Sequence, residues 1–392
     1  MFGKNIKFKN FNLKKNKLNK KKKIFNIYKN LIKEKNEVIL SLDKNYKDTF
    51  SKKIVKKLKK INHILLIGMG GSILGAKAIY NFLNPKNKKF VFVDNFSNIP
   101  LRIDNKKKIT LIISKSGNTL ETISNSNTLI DKKSTNIFLT ENKQSYLMKL
   151  ANKLKSEIIH HNNFIGGRYS VLSEVGMLPA QLMGFQPEKF RRLNKLINKK
   201  YFINSLIQNV SNIFDLINKN KTNSIILNYD DKSNDLFNWY QQLVAESLGK
   251  NSKGILPVTS LMPRDNHSLM QYYLDGKKNH FFTFFFVKEK NTNKIKNKNL
   301  LGLHSYLKNK SLNEISYSQF LATEKVFKQK KIPYRSFVIN SRDEKTLGEL
   351  FTFFILETIL LGRVMKINPF DQPAVELIKK QTKKILISKK YP

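Results

Sequence analysis

The chain of 392 residues contains no cysteine. That excludes a disulfide framework, a thiol nucleophile and a thiolate zinc site. Its six histidines (His63, His160, His161, His267, His280 and His304) never fall into HExxH spacing, and its 28 acidic residues include no EF-hand loop. No metal or other cofactor is expected. Long apolar runs are also missing. Phe281–Val287 and Leu350–Leu361 fall short of the roughly 20 residues a membrane span needs, and the second contains Glu357. The N-terminus lacks the apolar core of a secretory signal and the arginine of a transit peptide. A cytoplasmic protein with no membrane partner is expected.

Arginine is scarce. Only eight of the 73 basic residues are arginine: Arg102, Arg168, Arg191, Arg192, Arg264, Arg335, Arg342 and Arg363. The formal charge is +45 and the pI about 10.1, values that raise nucleic acid as a partner. Base readout favours the arginine fork over the point charge of lysine, however. The lysines are spread through every region with asparagine and isoleucine, the pattern of a solvated surface rather than a patch. No specific nucleic-acid partner is expected, although a positive field helps to draw in an anionic substrate.

The apolar share of 40% is ordinary for a globular protein, and the length suits two domains. Residues 1–45 read as a basic N-terminal arm, or as helices, from their lysine density and loose apolar spacing. From His63 the pattern becomes an alternation of strand-like runs (His63–Ile67, Phe90–Asp94, Thr110–Ser114, Ile137–Leu139, Glu157–His160) with helical stretches such as Ser72–Phe82. A second set follows a lysine-rich boundary at Arg191–Lys200: Ser224–Asn228, Asp235–Leu248, His280–Val287, Ile315–Gln329, Ser336–Ile339 and Thr346–Leu361. Alternation of this kind predicts mainly parallel sheets covered on both faces. The expectation is an α/β protein with two doubly wound, three-layer domains over 46–190 and 200–365, closed by a helix in 366–392.

Two loops carry the first chemistry. Gly68-Met69-Gly70-Gly71-Ser72 lies between a strand and a helix, where glycines let backbone N–H groups approach an anion. It lacks the GK[ST] of a P-loop, and a tight strand-to-helix turn alone explains it equally well. Ser114-Lys115-Ser116-Gly117-Asn118-Thr119 gathers three hydroxyls, a lysine and a glycine where a helix begins. Hydroxyls and helix N–H groups there form a cage for a phosphate dianion without a metal. Simple N-capping by Ser116 or Thr119 is the plainer alternative.

In this order the two loops resemble the sugar-isomerase (SIS) domain. Four further segments make the chain similar to the glucose-6-phosphate isomerase family. They are Ile165-Gly166-Gly167-Arg168-Tyr169-Ser170, Gln241–Lys250 around Glu246, Asp265-Asn266-His267-Ser268-Leu269-Met270-Gln271, and Asn368–Lys379. The likeness spans about residues 60–385. It implies SIS-type domains and a cofactor-free interconversion of glucose 6-phosphate and fructose 6-phosphate through a cis-enediol. It makes Glu246 the proton-transferring base, Arg168 the stabiliser of the enediolate, and His267 and Lys379 the ring-opening groups. Gly71, Ser72, Ser114, Lys115, Ser116, Thr119, Gln242 and Gln372 become substrate contacts, with phosphate on the hydroxyls and Gln372. It further implies a homodimer in which His267 enters the partner's active site.

Residue types fit these roles. Moving a proton between adjacent carbons needs a carboxylate to remove and return it and a cation for the developing oxyanion. Gln242 and Glu246 lie one helical turn apart and share a face. Against the family pattern, Asn118 stands where threonine is usual, Ala374 replaces a glycine and Asn266 precedes the histidine. A sugar-phosphate sensor without chemistry would keep the cage and dispense with Glu246, Arg168 and His267.

Overall fold

The computed structural model describes residues 2–13, 18–96, 108–131, 134–290, 292–296, 300 and 302–388. Strand β1 (Ile6–Lys9) reads Ile-Lys-Phe-Lys, with Ile6 and Phe8 buried and the lysines exposed. Helix α1 (Leu18–Lys33) buries Ile24, Tyr28 and Leu31, which recur at helical spacing along one face. Helices α2 (Glu37–Ser41) and α3 (Lys52–Leu58) lead into the first sheet, each capped by the side chain before it, Asn36 or Ser51.

That sheet contains β2 (His63–Gly68), β3 (Lys89–Val93), β4 (Lys108–Ile113), β5 (Thr135–Thr140) and β6 (Glu157–His160). All pairs are parallel, in the order β3-β2-β4-β5-β6. In β2, Ile64 and Leu66 join one core while Leu65 and Ile67 join another. A strand apolar on both faces needs cover on both faces. The connecting helices α4 (Leu74–Leu83), α5 (Leu120–Leu129) and α6 (Tyr146–Lys153) contribute to it.

Helices α7 (Glu174–Leu182), α8 (Pro187–Phe190), α9 (Leu193–Leu196) and α10 (Lys200–Ile217) link the sheets. The second comprises β7 (Asn223–Asn228), β8 (Leu256–Leu261), β9 (His280–Val287) and β10 (Tyr334–Ile339), parallel to one another, with β1 antiparallel at one edge. Between these strands run α11 (Asn234–Leu248), α12 (Met270–Asp275) and α13 (Leu312–Gln329); α14 (Glu344–Val364) and α15 (Glu376–Ile387) follow β10. Helix α14 is buried continuously from Thr346 to Gly362, so its apolar run is a core helix. No helix among the described residues is long and apolar enough to cross a membrane.

The two parallel sheets expected from the alternation are present. Among the described residues up to position 45 the helical reading holds rather than the arm: α1 and α2 are helices, α1 packs on α10 and α14, and β1 extends the second sheet. The cause is apolar. Phe2 and Phe8 meet Phe337 and Phe353 in an aromatic cluster, with ring centroids 4.7 Å apart for Phe2–Phe353 and 4.6 Å for Phe8–Phe337. Strand β8 was absent from the expected elements. It contains Pro257, which the open edge of a sheet tolerates.

A buried ion pair ties β10 to α14. Arg335, with no exposed surface, meets Glu357 through both guanidinium ends and donates to Asn209 Oδ1 (2.9 Å) and Thr283 Oγ1 (2.9 Å). Tyr240 on α11 donates its hydroxyl to Glu357 Oε1 at 2.9 Å. Strand order decides where a ligand fits. The chain passes from β2 outward to β3 and returns to the other side of β2 as β4, so the crevice beyond their carboxyl ends is a topological switch point.

Candidate active site

Both loops singled out in the sequence open onto that crevice. After β2, Gly70–Ser72 forms one 3-10 turn. Gly70 has φ +51°, and a Cβ there would lie 2.7 Å from Gln242 Nε2. A Cβ on Gly71 would lie 2.1 Å from the carbonyl carbon of Gly167, so the two glycine loops interlock backbone to backbone. After β4, Ser114 Oγ lies 3.0 Å from Thr119 Oγ1, and Ser116 Oγ accepts the Asn118 N–H at 3.2 Å. Thr119 is the N-cap of α5 but its side chain makes no capping bond. The helix therefore presents its N-terminal dipole to an anion.

Lys115 stands beside this cradle. Its Nζ donates to the Asn163 carbonyl (2.9 Å) and lies 3.3 Å from Glu141 Oε1. Asn118 turns away: its side-chain oxygen accepts the Tyr146 N–H at 2.9 Å.

Helix α11 supplies the opposite wall. Gln242 Nε2 donates to Glu246 Oε2 at 3.1 Å, and Arg168 Nη1 lies 3.6 Å from Glu246 Oε1. The Arg168 side chain is 1% exposed against 22% for Glu246. A charge so enclosed needs every donor placed. Arg168 Nε donates to Ser247 Oγ (2.7 Å), Nη2 to the carbonyls of Pro369 (2.7 Å) and Asp371 (3.0 Å), and Nη1 to Gln372 Oε1. Tyr169 adds its hydroxyl to Ser247 (2.8 Å) and to the Pro369 carbonyl (2.9 Å), and burial pushes that phenol up. Lys250 fastens the same C-terminal turn at the Asn368 carbonyl and at Asp371 Oδ1, both at 2.5 Å. Its hydrogen bond holds the Asp371 carboxyl below the usual range.

These walls enclose a cavity of about 440 Å³. It is lined by Gly71, Ser72, Lys115, Ser116, Thr119, Arg168, Gln242, Glu246, Gln372 and Lys379. Ser114 lies behind Thr119 and is buried. Lys379, on α15, directs its Nζ to Glu376 Oε1 at 2.7 Å, and α15 has no buried residue. His267 is not among the lining residues; it is exposed in the turn that follows β8. The sequence reading missed Ser247, Tyr169 and Glu141 as site groups. Ser247 lies within Gln241–Lys250 and Tyr169 within Ile165–Ser170, but only folding brings them to one guanidinium.

A hydroxyl-and-dipole cradle for a dianion, opposite a carboxylate beside a buried guanidinium, defines an enzyme for small phosphorylated substrates. The α/β fold itself is shared with solved structures. A hypothetical protein of Thermus thermophilus superposes with a TM-score of 0.81 at 22% identity, covering 94% of this chain and 98% of that one. A glucose-6-phosphate isomerase of Chlamydia trachomatis superposes with a TM-score of 0.67 at 19% identity, covering 87% and 73%.

Sequence narrows the class to a family. Residues 16–257 match the family model described as phosphoglucose isomerase. The glucose-6-phosphate isomerase of Methanocaldococcus jannaschii is 32% identical over 364 residues, covering 86% of this chain and 88% of that protein. The enzyme of the same name from Mycoplasmopsis pulmonis is 33% identical over 362 residues, covering 85% and 84%. The chain belongs to the phosphoglucose isomerase family.

Proposed function

We propose that this cavity interconverts glucose 6-phosphate and fructose 6-phosphate, reversibly and through a cis-enediol. The observation that carries the reading is the Arg168–Glu246 pair, which faces the Ser116–Thr119 cradle across one cavity. Phosphate rests on Ser72, Ser116, Thr119 and the α5 N-terminus, with Ser114 orienting Thr119, Lys115 beside the cradle and Gln372 at its rim. The Glu246 carboxylate takes the proton from C2 of the open aldose. Its electrons form the C1–C2 double bond, and the C1 carbonyl oxygen gains the negative charge. Arg168 stabilises that oxyanion, whose carrier is held rigid before the reaction begins. After a proton moves between the two oxygens, Glu246 returns its proton to C1 and the ketose forms.

Ring opening falls to Lys379 and, as the family resemblance implies, to His267 of a second copy; His267 of the same chain is not among the residues lining the cavity. The working enzyme is then a homodimer acting in the cytoplasm, as the family resemblance implies for the dimer. No step requires a metal or organic cofactor. A coupled assay of glucose 6-phosphate formed from fructose 6-phosphate tests the reading: the purified protein turns over, and Glu246→Gln does not. Equal rates for the two proteins would reject it.

A further inference from the structure

Behind the Gly-Gly-Arg loop lies a polar cluster that the reaction does not touch. His161 and Glu174 are both buried, with side chains that have no exposed surface. His161 Nδ1 lies 2.6 Å from Glu174 Oε1, and its Nε2 lies 3.0 Å from the Ile165 carbonyl oxygen. The Ile165 carbonyl can only accept, and so can an ionised Glu174 carboxylate, so with Glu174 ionised both contacts are hydrogen bonds only when the ring carries a proton on each nitrogen.

The rest of the cluster favours that state. Glu174 lies in the first turn of α7, where the helix dipole favours an anion. Burial alone would raise its carboxyl, but the His161 hydrogen bond and charge bring it below the ordinary range. Glu174 also accepts the Asn162 N–H (2.8 Å) and the Tyr46 hydroxyl (3.1 Å). Charged groups approach from the neighbouring elements as well. Arg191 meets the Tyr46 carbonyl and Asp48, Glu37 accepts from the Asn162 side chain, and Lys115 holds the Asn163 carbonyl.

The geometry assigns His161 as a positioning residue for Arg168. Donating from both nitrogens, its ring spans the loop from Glu174 to Ile165 and fixes the backbone that continues through Gly166 and Gly167 into the guanidinium. The assignment rests on the proposed role of Arg168 as oxyanion stabiliser.

Two measurements test it. In His161→Gln, competitive inhibition by an aldonic acid phosphate, whose carboxylate mimics the enediolate, weakens by about tenfold or more, the scale of a misplaced stabilising group. Inhibition by inorganic phosphate, which samples only the cradle, stays within about twofold. Inhibition constants do not depend on the fraction of folded enzyme, so a purely structural role would move neither. Unchanged constants, or parallel weakening of both, overturn the assignment. The second measurement uses the full wild-type chain and does not depend on the variant folding. Nitrogen-15 spectra of its six histidines show both ring nitrogens of His161 protonated at neutral pH, and a neutral tautomer there overturns it. If Arg168→Lys leaves the acid phosphate's constant unchanged while His161 carries two protons, the reading of Arg168 fails and that of the His161 ring stands.

Discussion

Gly71 and Gly167 meet backbone to backbone, so the loop that ends β2 and the loop that begins the Arg168 turn share one surface. A methyl group on Gly71 would lie 2.1 Å from the Gly167 carbonyl carbon and 2.5 Å from the Arg168 nitrogen. Backbone cannot swing aside as a side chain can. Gly71→Ala is expected to lower kcat/KM by at least about tenfold, because it displaces the base of the guanidinium. The reverse substitution is milder. A methyl on Gly167 meets only the Gly71 Cα, at an ordinary 3.8 Å, so Gly167→Ala stays within about threefold of wild type. Steady-state kinetics on both proteins check this asymmetry; equal effects would contradict the interlock.

Glu246 and Arg168 face each other with unequal support. Glu246→Gln preserves shape and removes the base, and its rate falls by at least about 10²-fold. Arg168→Lys keeps the charge but loses the planar fork that reaches Ser247, Pro369, Asp371 and Gln372 together. A fall of about 10²–10³-fold is expected, the scale of losing an oxyanion donor. It should appear chiefly in kcat, since the Ser116–Thr119 cradle proposed for phosphate is left in place.

The core of the second sheet carries a different risk. Glu357→Leu leaves Arg335 buried without its anion and removes the acceptor of Tyr240 and Asn209. Breaking such a pair from one side costs about 3–5 kcal/mol. The double variant Arg335→Met with Glu357→Leu removes both charges and is expected to cost less than the single one. Urea unfolding of the three proteins measures the order. A double variant less stable than Glu357→Leu would show that the pair is a net stabiliser.

Glu349 gives a pH dependence of definite sign. Burial raises its carboxyl above the usual range, and Arg192 and Lys199 only partly oppose it. A folded-state value above the unfolded one means that the protonated form is favoured in the native protein. This stabilising contribution is full below the unfolded value, roughly pH 4, and is lost as pH rises through the folded value. Glu349→Gln is neutral at every pH. Its melting temperature relative to wild type should therefore rise between pH 4 and pH 8, and a difference that shrinks over this range would contradict the assignment.

What the sequence revealed and what it hid divide along physical lines. Strands apolar on both faces, such as Ile64–Ile67 and Phe281–Val287, stand out because burial on two sides leaves at most a lone polar residue, Thr283, among the apolar ones. The two edge strands of the second sheet were hidden. Lysines masked the alternation of β1, and Pro257 disguised β8. At the site, loops that contain their own chemistry could be read locally, as at Ser114–Thr119. Contacts made by folding could not. Arg168 reaches Ser247 across 79 positions and Gln372 across 204, and no local pattern announces such partners. His161 and Glu174 are close in sequence, yet their pairing depends on a loop reversal that spacing alone does not specify.

The proposed dimer makes a prediction that a self-contained site cannot meet. If His267 serves the partner's cavity while Glu246 serves its own, each cavity draws on both chains. A subunit bearing Glu246→Gln and one bearing His267→Ala are each inactive as homodimers. In the heterodimer, one cavity combines both lesions and the other has an intact Glu246 and an intact His267. Unfolding and refolding an equal mixture gives half heterodimers by random pairing, each with one working cavity of two, so activity recovers to about a quarter of wild type. A sham mixture of separately refolded proteins should recover nothing. Equal silence in the co-refolded mixture would mean that His267 does not cross to a partner's cavity, and that ring opening uses groups of one chain such as Lys379.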